Sequence, residues 1–125
     1  MKEHKMKNYE DDRDLLSSQG VDLTPLDELE NLIRSGVQIP REKHKPHKLN
    51  DSKHFQKCYE CHVTSPTDDW VVVYKIVRPQ NKKLEKTLVF VATGSHSHVF
   101  RESMYKVGYY DMKNSILEYL ATNRY

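Results

Sequence analysis

The sequence predicts an α+β domain, and three observations carry that expectation. Asp69 to Val77 is a long run rich in β-branched and aromatic residues, bounded by Pro66 and Pro79, and reads as a central strand buried on at least one face. Two further β-favouring runs, Cys58 to Val63 and Thr87 to Ala92, flank it at short spacing. The three most simply form an antiparallel meander, because parallel neighbours would need a long crossover. Ahead of them, Leu26, Leu29, Leu32 and Ile33 recur at helical spacing and define one apolar face, which predicts a helix laid against the sheet. The meander gathers the end of the first strand, the start of the second and the end of the third at one edge, and those ends carry His62, Asp69 and His96.

In chain order, residues 1–20 are dense in charge and weakly amphipathic, with Tyr9, Leu15 and Leu16 as apolar contacts, and predict a short helix ending at Gly20. The next helix is well punctuated. Thr24 reads as its N-cap, Pro25 fits the first helical position, Asp27 suits the positive end and Gly36 lies just beyond the last turn. From Val37 to Phe55 periodicity disappears while Arg41, Lys43, His44, Lys45, His47, Lys48, Lys53 and His54 accumulate around Pro40 and Pro46. Such a stretch is either a solvated basic loop or one that faces phosphates, since lysine and histidine can engage a nucleic-acid backbone without sequence preference. After the strands, Phe100 to Tyr110 is an aromatic, polar connection, and Asp111 to Leu120 predicts a C-terminal helix with Met112, Ile116, Leu117 and Leu120 on its apolar side.

The 125 residues fit a single domain, 37% hydrophobic and 30% charged. No apolar run has the length of a transmembrane helix, and Met1 to Asn8 lacks the apolar core of a secretory signal, so a cytoplasmic chain is expected. A formal charge of +2 permits a polyanionic partner without arguing strongly for one. Cys58-Tyr59-Glu60-Cys61-His62 spells the attachment pattern of a c-type haem, but it falls in a strand and no export signal precedes it. A zinc site drawn from Cys58, Cys61 and His62, His96 or His98 lacks a second cysteine pair, and strand alternation sends the two cysteines to opposite faces. Reduced thiols and no metal are expected.

Four short motifs occur in one order: His47-Lys48-Leu49; Tyr59-Glu60-Cys61-His62-Val63; Asp69-Trp70-Val71-Val72-Val73-Tyr74-Lys75-Ile76; and Thr93-Gly94-Ser95-His96-Ser97-His98-Val99-Phe100. Together they resemble the YafQ branch of the RelE/ParE toxin superfamily. The resemblance covers about Leu23 to Phe100, leaving 101–125 as a C-terminal extension. It implies a twisted antiparallel sheet of three to four strands with an N-terminal helix pair packed on it. It also implies the toxin of a type II toxin-antitoxin module, an endoribonuclease that cleaves mRNA on the ribosome, with a cognate antitoxin as protein partner. Carried over position by position, His47, His62, Asp69 and His96 match the family's catalytic set. His62 and His96 are expected to transfer protons, Asp69 to orient its neighbour, and His47 to contact phosphate or act as base. Lys43, Lys45, Lys48, Lys75, Phe100 and Arg101 are the expected RNA contacts, with Phe100 able to stack on a base and Trp70 anchoring the core. Histidine suits both proton transfers because its ordinary pKa lies near neutrality, and no cofactor is then required.

The departures from the family pattern are specific. Ala92 stands where the family has an arginine before its Thr-Gly-Ser-His turn, which removes a charged donor from the phosphate and implies reduced activity unless Lys75 or Arg101 compensates. The alternative is a catalytically weakened toxin-fold binding module that pairs with an antitoxin or another partner. Thr64 to Asp68 lengthens the connection between His62 and Asp69 and loosens the register of Asp69. Met1 to Asn8 holds almost no β-formers, so the strand that opens the family's sheet has no evident counterpart.

Overall fold

A computed structural model describes residues 1–49, 55 and 57–101. The expected C-terminal helix over 111–120, the connection after Arg101, and Lys53 and His54 of the basic loop lie outside the described residues. The elements run β1 (Lys2–Lys5), α1 (Lys7–Ser18), α2 (Thr24–Arg34), α3 (Arg41–His44), β2 (His47–Lys48), β3 (Tyr59–His62), β4 (Trp70–Val77), β5 (Thr87–Ser95) and α4 (His96–Val99).

The described strands form a five-stranded sheet in the order β1-β5-β4-β3-β2. The antiparallel meander is present as β3, β4 and β5, with β4 at the centre of the sheet. Both faces are covered, which is why β4 and β5 read as near-continuous apolar runs. On one face Tyr9 of α1 and Leu26, Leu29 and Ile33 of α2 pack with Cys61, Val72, Leu88 and Phe90. On the other, Met6, Phe55 and Val99 cover Cys58, Val71, Val73, Val89 and Ala92. The cysteines thus fall on opposite faces, and burial pushes both thiols up to about 11, which keeps them in the unreactive form at neutral pH.

Two expectations need correction here. The opening strand does exist: Lys2 to Lys5 pairs parallel to β5 in the register Lys2↔Thr87 to Lys5↔Phe90, so the sheet is mixed and gains β1 and the short β2 over the expected three to four antiparallel strands. An edge strand is held by backbone N–H and C=O groups, and charged side chains suit an edge because they discourage further pairing. Composition therefore hid it. Second, Thr24 is not the cap of α2. Leu23 holds the N-cap position without a side-chain cap, and Thr24 opens the helix with its backbone N–H and hydroxyl donating to the Asp22 carboxylate at 3.0 and 2.8 Å.

The two long helices are tied by a buried acid that periodicity gave no reason to single out. Glu30, 3% exposed, accepts from the Tyr9 hydroxyl at 2.5 Å and from Arg13 at 2.7 Å, while Arg13 also reaches Asp27 at 2.8 Å. Tyr9 in turn stacks on Phe90 with centroids 5.1 Å apart, so the helix pair is registered against the sheet. Leu15, expected as an apolar contact, is exposed, because the inward face of α1 passes through Tyr9 and Asp12 instead.

Candidate active site

The site is built on the sheet face away from α1 and α2. Residues two apart on a strand share a face, so Glu60 and His62 of β3 point together. His47 stands opposite Glu60 across β2, and Val73 opposite it across β4. His96 arrives from β5 as the first residue of α4. Its position follows from the turn: Ser95 caps α4 by accepting from the His98 N–H at 3.2 Å, and Gly94 has φ +139°. A Cβ at Gly94 would also come within 2.9 Å of the His98 ring, so glycine is required there for both conformation and space.

Three imidazoles converge on one buried carboxylate. Glu60 Oε1 lies 3.1 Å from His96 Nε2, 3.8 Å from His62 Nε2 and 3.9 Å from His47 Nε2. The opposite nitrogen of each ring is tied to an acceptor: His62 Nδ1 donates to the Asp68 carbonyl at 2.7 Å, His47 Nδ1 to the Lys45 carbonyl at 3.2 Å, and His96 Nδ1 to Asp69 Oδ1 at 2.7 Å. Each Nδ1 therefore carries a hydrogen, and each Nε2 faces the site. The His62 and His96 ring centroids are 5.4 Å apart, and Phe100 lies nearly parallel to His96 at 6.3 Å.

Asp69 does reach the site, so the longer connection leaves its register intact. The Thr64 hydroxyl donates to the Asp68 carboxylate and Val63 N–H to the Trp70 carbonyl at 2.8 Å, closing the turn before β4. The Asp69 carboxylate is held below the usual carboxylate range, first by the His96 backbone N–H at 2.9 Å and then by its ring. For His96, burial alone would depress the pKa, but the bonds to Asp69 and Glu60 outweigh it and hold the imidazole above its ordinary value. The stability this pairing contributes is present below the ordinary histidine pKa and fades as pH rises through the higher folded value. In activity, a His96 acting as acid stays protonated further into the alkaline range. Asp69→Asn removes a partner that raises the pKa, so the basic limb of the pH–rate profile is expected to move to lower pH, with the acidic limb unchanged. A basic limb that stays in place in Asp69→Asn would exclude this coupling.

The structure separates the remaining sequence-predicted residues. His44, counted with the phosphate-facing cluster, is buried with Nδ1 2.7 Å from the His62 carbonyl, and so anchors α3 to β3. Lys48 pairs with Tyr59 and therefore lies on the opposite face from Glu60, beside a groove lined with Arg41, Pro46, Tyr59 and Tyr74. Lys43 and Lys45 are exposed on α3 and at its end. Lys75 follows Val73 by two residues and shares the site's face, one pleat beyond Glu60. Arg101 donates to the His98 carbonyl at the end of α4. Trp70 anchors β4 to β5 through Nε1 to Thr93 Oγ1 at 3.1 Å. Ala92 stands opposite Val73 on the site's face but is fully buried.

Two site residues escaped the sequence. Glu60, 3% exposed, is the centre of the cluster, and its signal was the i, i+2 relation to His62 inside a strand. Asp12 is the other. It is buried on α1, accepts from Thr93 N–H at 3.1 Å where β5 has run past the end of β1, and meets His98 Nε2 at 2.7 Å. His98 thus pins α4 to α1 and steadies the turn that presents His96.

A family model described as the bacterial toxin of type II toxin-antitoxin systems, YafQ, matches residues 1–101. The match reaches well ahead of Leu23 and takes in β1 and α1. No curated protein matches the sequence. Among solved structures, a copper-bound mutant toxin from Helicobacter pylori is 25% identical over 80% of this chain and 99% of its own, with a TM-score of 0.64. The E. coli DinJ-YafQ toxin-antitoxin complex gives 26% identity over 78% and 94%, with a TM-score of 0.61. A YafQ mutant from E. coli, at 24% identity over 78% and 96% and a TM-score of 0.62, shares the fold. Among the described residues, no helix is long and apolar enough to cross a membrane.

Proposed function

Because the chain belongs to the YafQ family of bacterial toxins of type II toxin-antitoxin systems, within the RelE/ParE superfamily, we propose that it is an endoribonuclease that cuts mRNA on the ribosome. The observation that carries this reading is the convergence of three histidine Nε2 atoms on buried Glu60, with His96 also paired to Asp69. The reaction needs a base for the RNA 2'-hydroxyl, an acid for the leaving 5'-oxygen, and donors for the charge that builds on phosphorus.

The hydrogen bonds support a division of labour. His96 faces a carboxylate from each nitrogen and is the group best suited to remain protonated, so it serves as the acid. His62 gives its Nδ1 hydrogen to a carbonyl, and in the neutral ring its Nε2 lone pair is the base. Asp69 and Glu60 hold the imidazolium, and His47, on the open side, contacts the phosphate. Phe100 extends the His96 plane into a surface on which a base can stack. Lys75 and Arg101 are the cations proposed to replace part of what Ala92 lacks, which implies slower cleavage than in arginine-bearing relatives.

The partner proposed is a cognate antitoxin with an acidic segment, working in the cytoplasm. DinJ in the E. coli complex is the relative's example, and exposed Arg41, Lys43, Lys45 and Lys48 supply the complementary charge here. The endonuclease reading is tested by single-turnover cleavage on ribosomes programmed with a defined mRNA. Cleavage that leaves a 2',3'-cyclic phosphate, and that disappears when the attacking ribose is replaced by deoxyribose, is the expected result. Intact mRNA alongside tight antitoxin binding would instead favour the binding module.

A further inference from the structure

We propose that Glu60, His62 and His96 form a binding site for a single late first-row divalent cation, zinc or copper(II), and that its occupancy switches proton transfer off. The candidate ligand atoms, one from each residue, all lie within 4.8 Å of one another. A tetrahedral ion with bonds of about 2.0–2.1 Å sets its ligands about 3.3 Å apart. The distances from Glu60 Oε1 to His96 Nε2 and His62 Nε2, 3.1 and 3.8 Å, straddle that value, and the two imidazoles, with ligand atoms within 4.8 Å of each other, would draw together to close around an ion.

The surroundings of the rings strengthen the assignment. Histidine ligands characteristically donate their other ring N–H to a carbonyl or carboxylate, which fixes the tautomer and aims the lone pair at the ion. His62 does this through the Asp68 carbonyl and His96 through Asp69, both at 2.7 Å. His47 Nε2, 3.9 Å from Glu60 and anchored by the Lys45 carbonyl, stands on the open side as a fourth ligand or gives way to water. Two imidazoles and one carboxylate select zinc or copper(II) over magnesium or calcium, which prefer all-oxygen shells. The bound ion would take the Nε2 lone pair of His62, the proposed base, and displace the Nε2 proton of His96, the proposed acid, to solvent, so neither ring could transfer a proton. The metal is therefore an inhibitor, in contrast to an activating cofactor.

Binding is tested on the purified full-length chain, free of any histidine tag, by calorimetric titration with zinc and by electron paramagnetic resonance with copper(II). One zinc per chain is expected, with affinity falling about tenfold or more in each of Glu60→Gln, His62→Gln and His96→Gln and unchanged in His4→Gln. The copper spectrum should show nitrogen hyperfine structure from at least two imidazoles. Where a variant fails to fold, zinc-dependent shifts of the His62 and His96 ring resonances in the wild-type protein carry the same test. No binding, or binding indifferent to the three residues, overturns the proposal. The inhibition arm rests on the endonuclease reading: one equivalent of zinc should lower cleavage about tenfold or more, and a zinc-selective chelator should restore it. Cleavage stimulated by zinc would overturn inhibition. If the metal-free chain cleaves nothing, that reading fails while the binding result stands.

Discussion

His96→Gln is expected to lower single-turnover cleavage of ribosome-bound mRNA by about a hundredfold to a thousandfold, with the fold and antitoxin affinity retained. Glutamine keeps a donor near Asp69 and Glu60 but cannot deliver a proton at neutral pH. The same substitution should remove the basic limb of the pH–rate profile, because that limb belongs to the group held above its ordinary value by Asp69 and Glu60. His62→Gln should cost a similar factor, since glutamine has no lone pair basic enough to take the 2'-hydroxyl proton. Preserved thermal unfolding is the control that separates lost chemistry from lost structure. Cleavage within a few-fold of wild type in both variants would remove His62 and His96 from the reaction.

Ala92→Arg is expected to destabilise the domain by more than about 4 kcal/mol, the opposite of the rescue that the family pattern suggests. Ala92 is fully buried in the cluster with Val73, Val91 and Val99. Enlarging a packed position costs about 1–3 kcal/mol, and a buried, unpaired guanidinium adds several more. Ala92→Leu, which adds volume without charge, should cost clearly less. Urea unfolding of the two variants measures the difference. An Ala92→Arg protein with wild-type stability and faster cleavage would mean that the site face opens enough to admit the side chain, and that the missing donor limits the rate. The weaker activity proposed for this chain thus comes with a core that has closed over the position.

Periodicity and composition carried most of the fold. The meander was legible because Trp70 to Val77 and Thr87 to Ala92 are β-branched runs broken by prolines and polar connections, and α2 because Leu26, Leu29 and Ile33 repeat at helical spacing. β1 was not legible. Its pairing to β5 depends on backbone groups, and Lys2, Glu3, His4 and Lys5 give no side-chain signal. The cap of α2 was misassigned by one residue: Thr24 is a good capping residue by type, but the chain turns so that Leu23 takes the N-cap position and Thr24 begins the helix, held by Asp22.

The sequence by itself determined which chemistry-bearing residues the chain holds and, through strand order and register, that His62, Asp69 and His96 end at one edge of the sheet. Only the tertiary structure decided what those residues face. Glu60 became their centre because a carboxylate two positions before His62 shares its face and is buried there by the neighbouring strands, and burial is a property of the packed assembly. His98 was tied to α1 and Lys48 turned to the far face for the same reason: contacts separated by 86 residues, or set by pairing parity across two strands, leave no local trace in the chain.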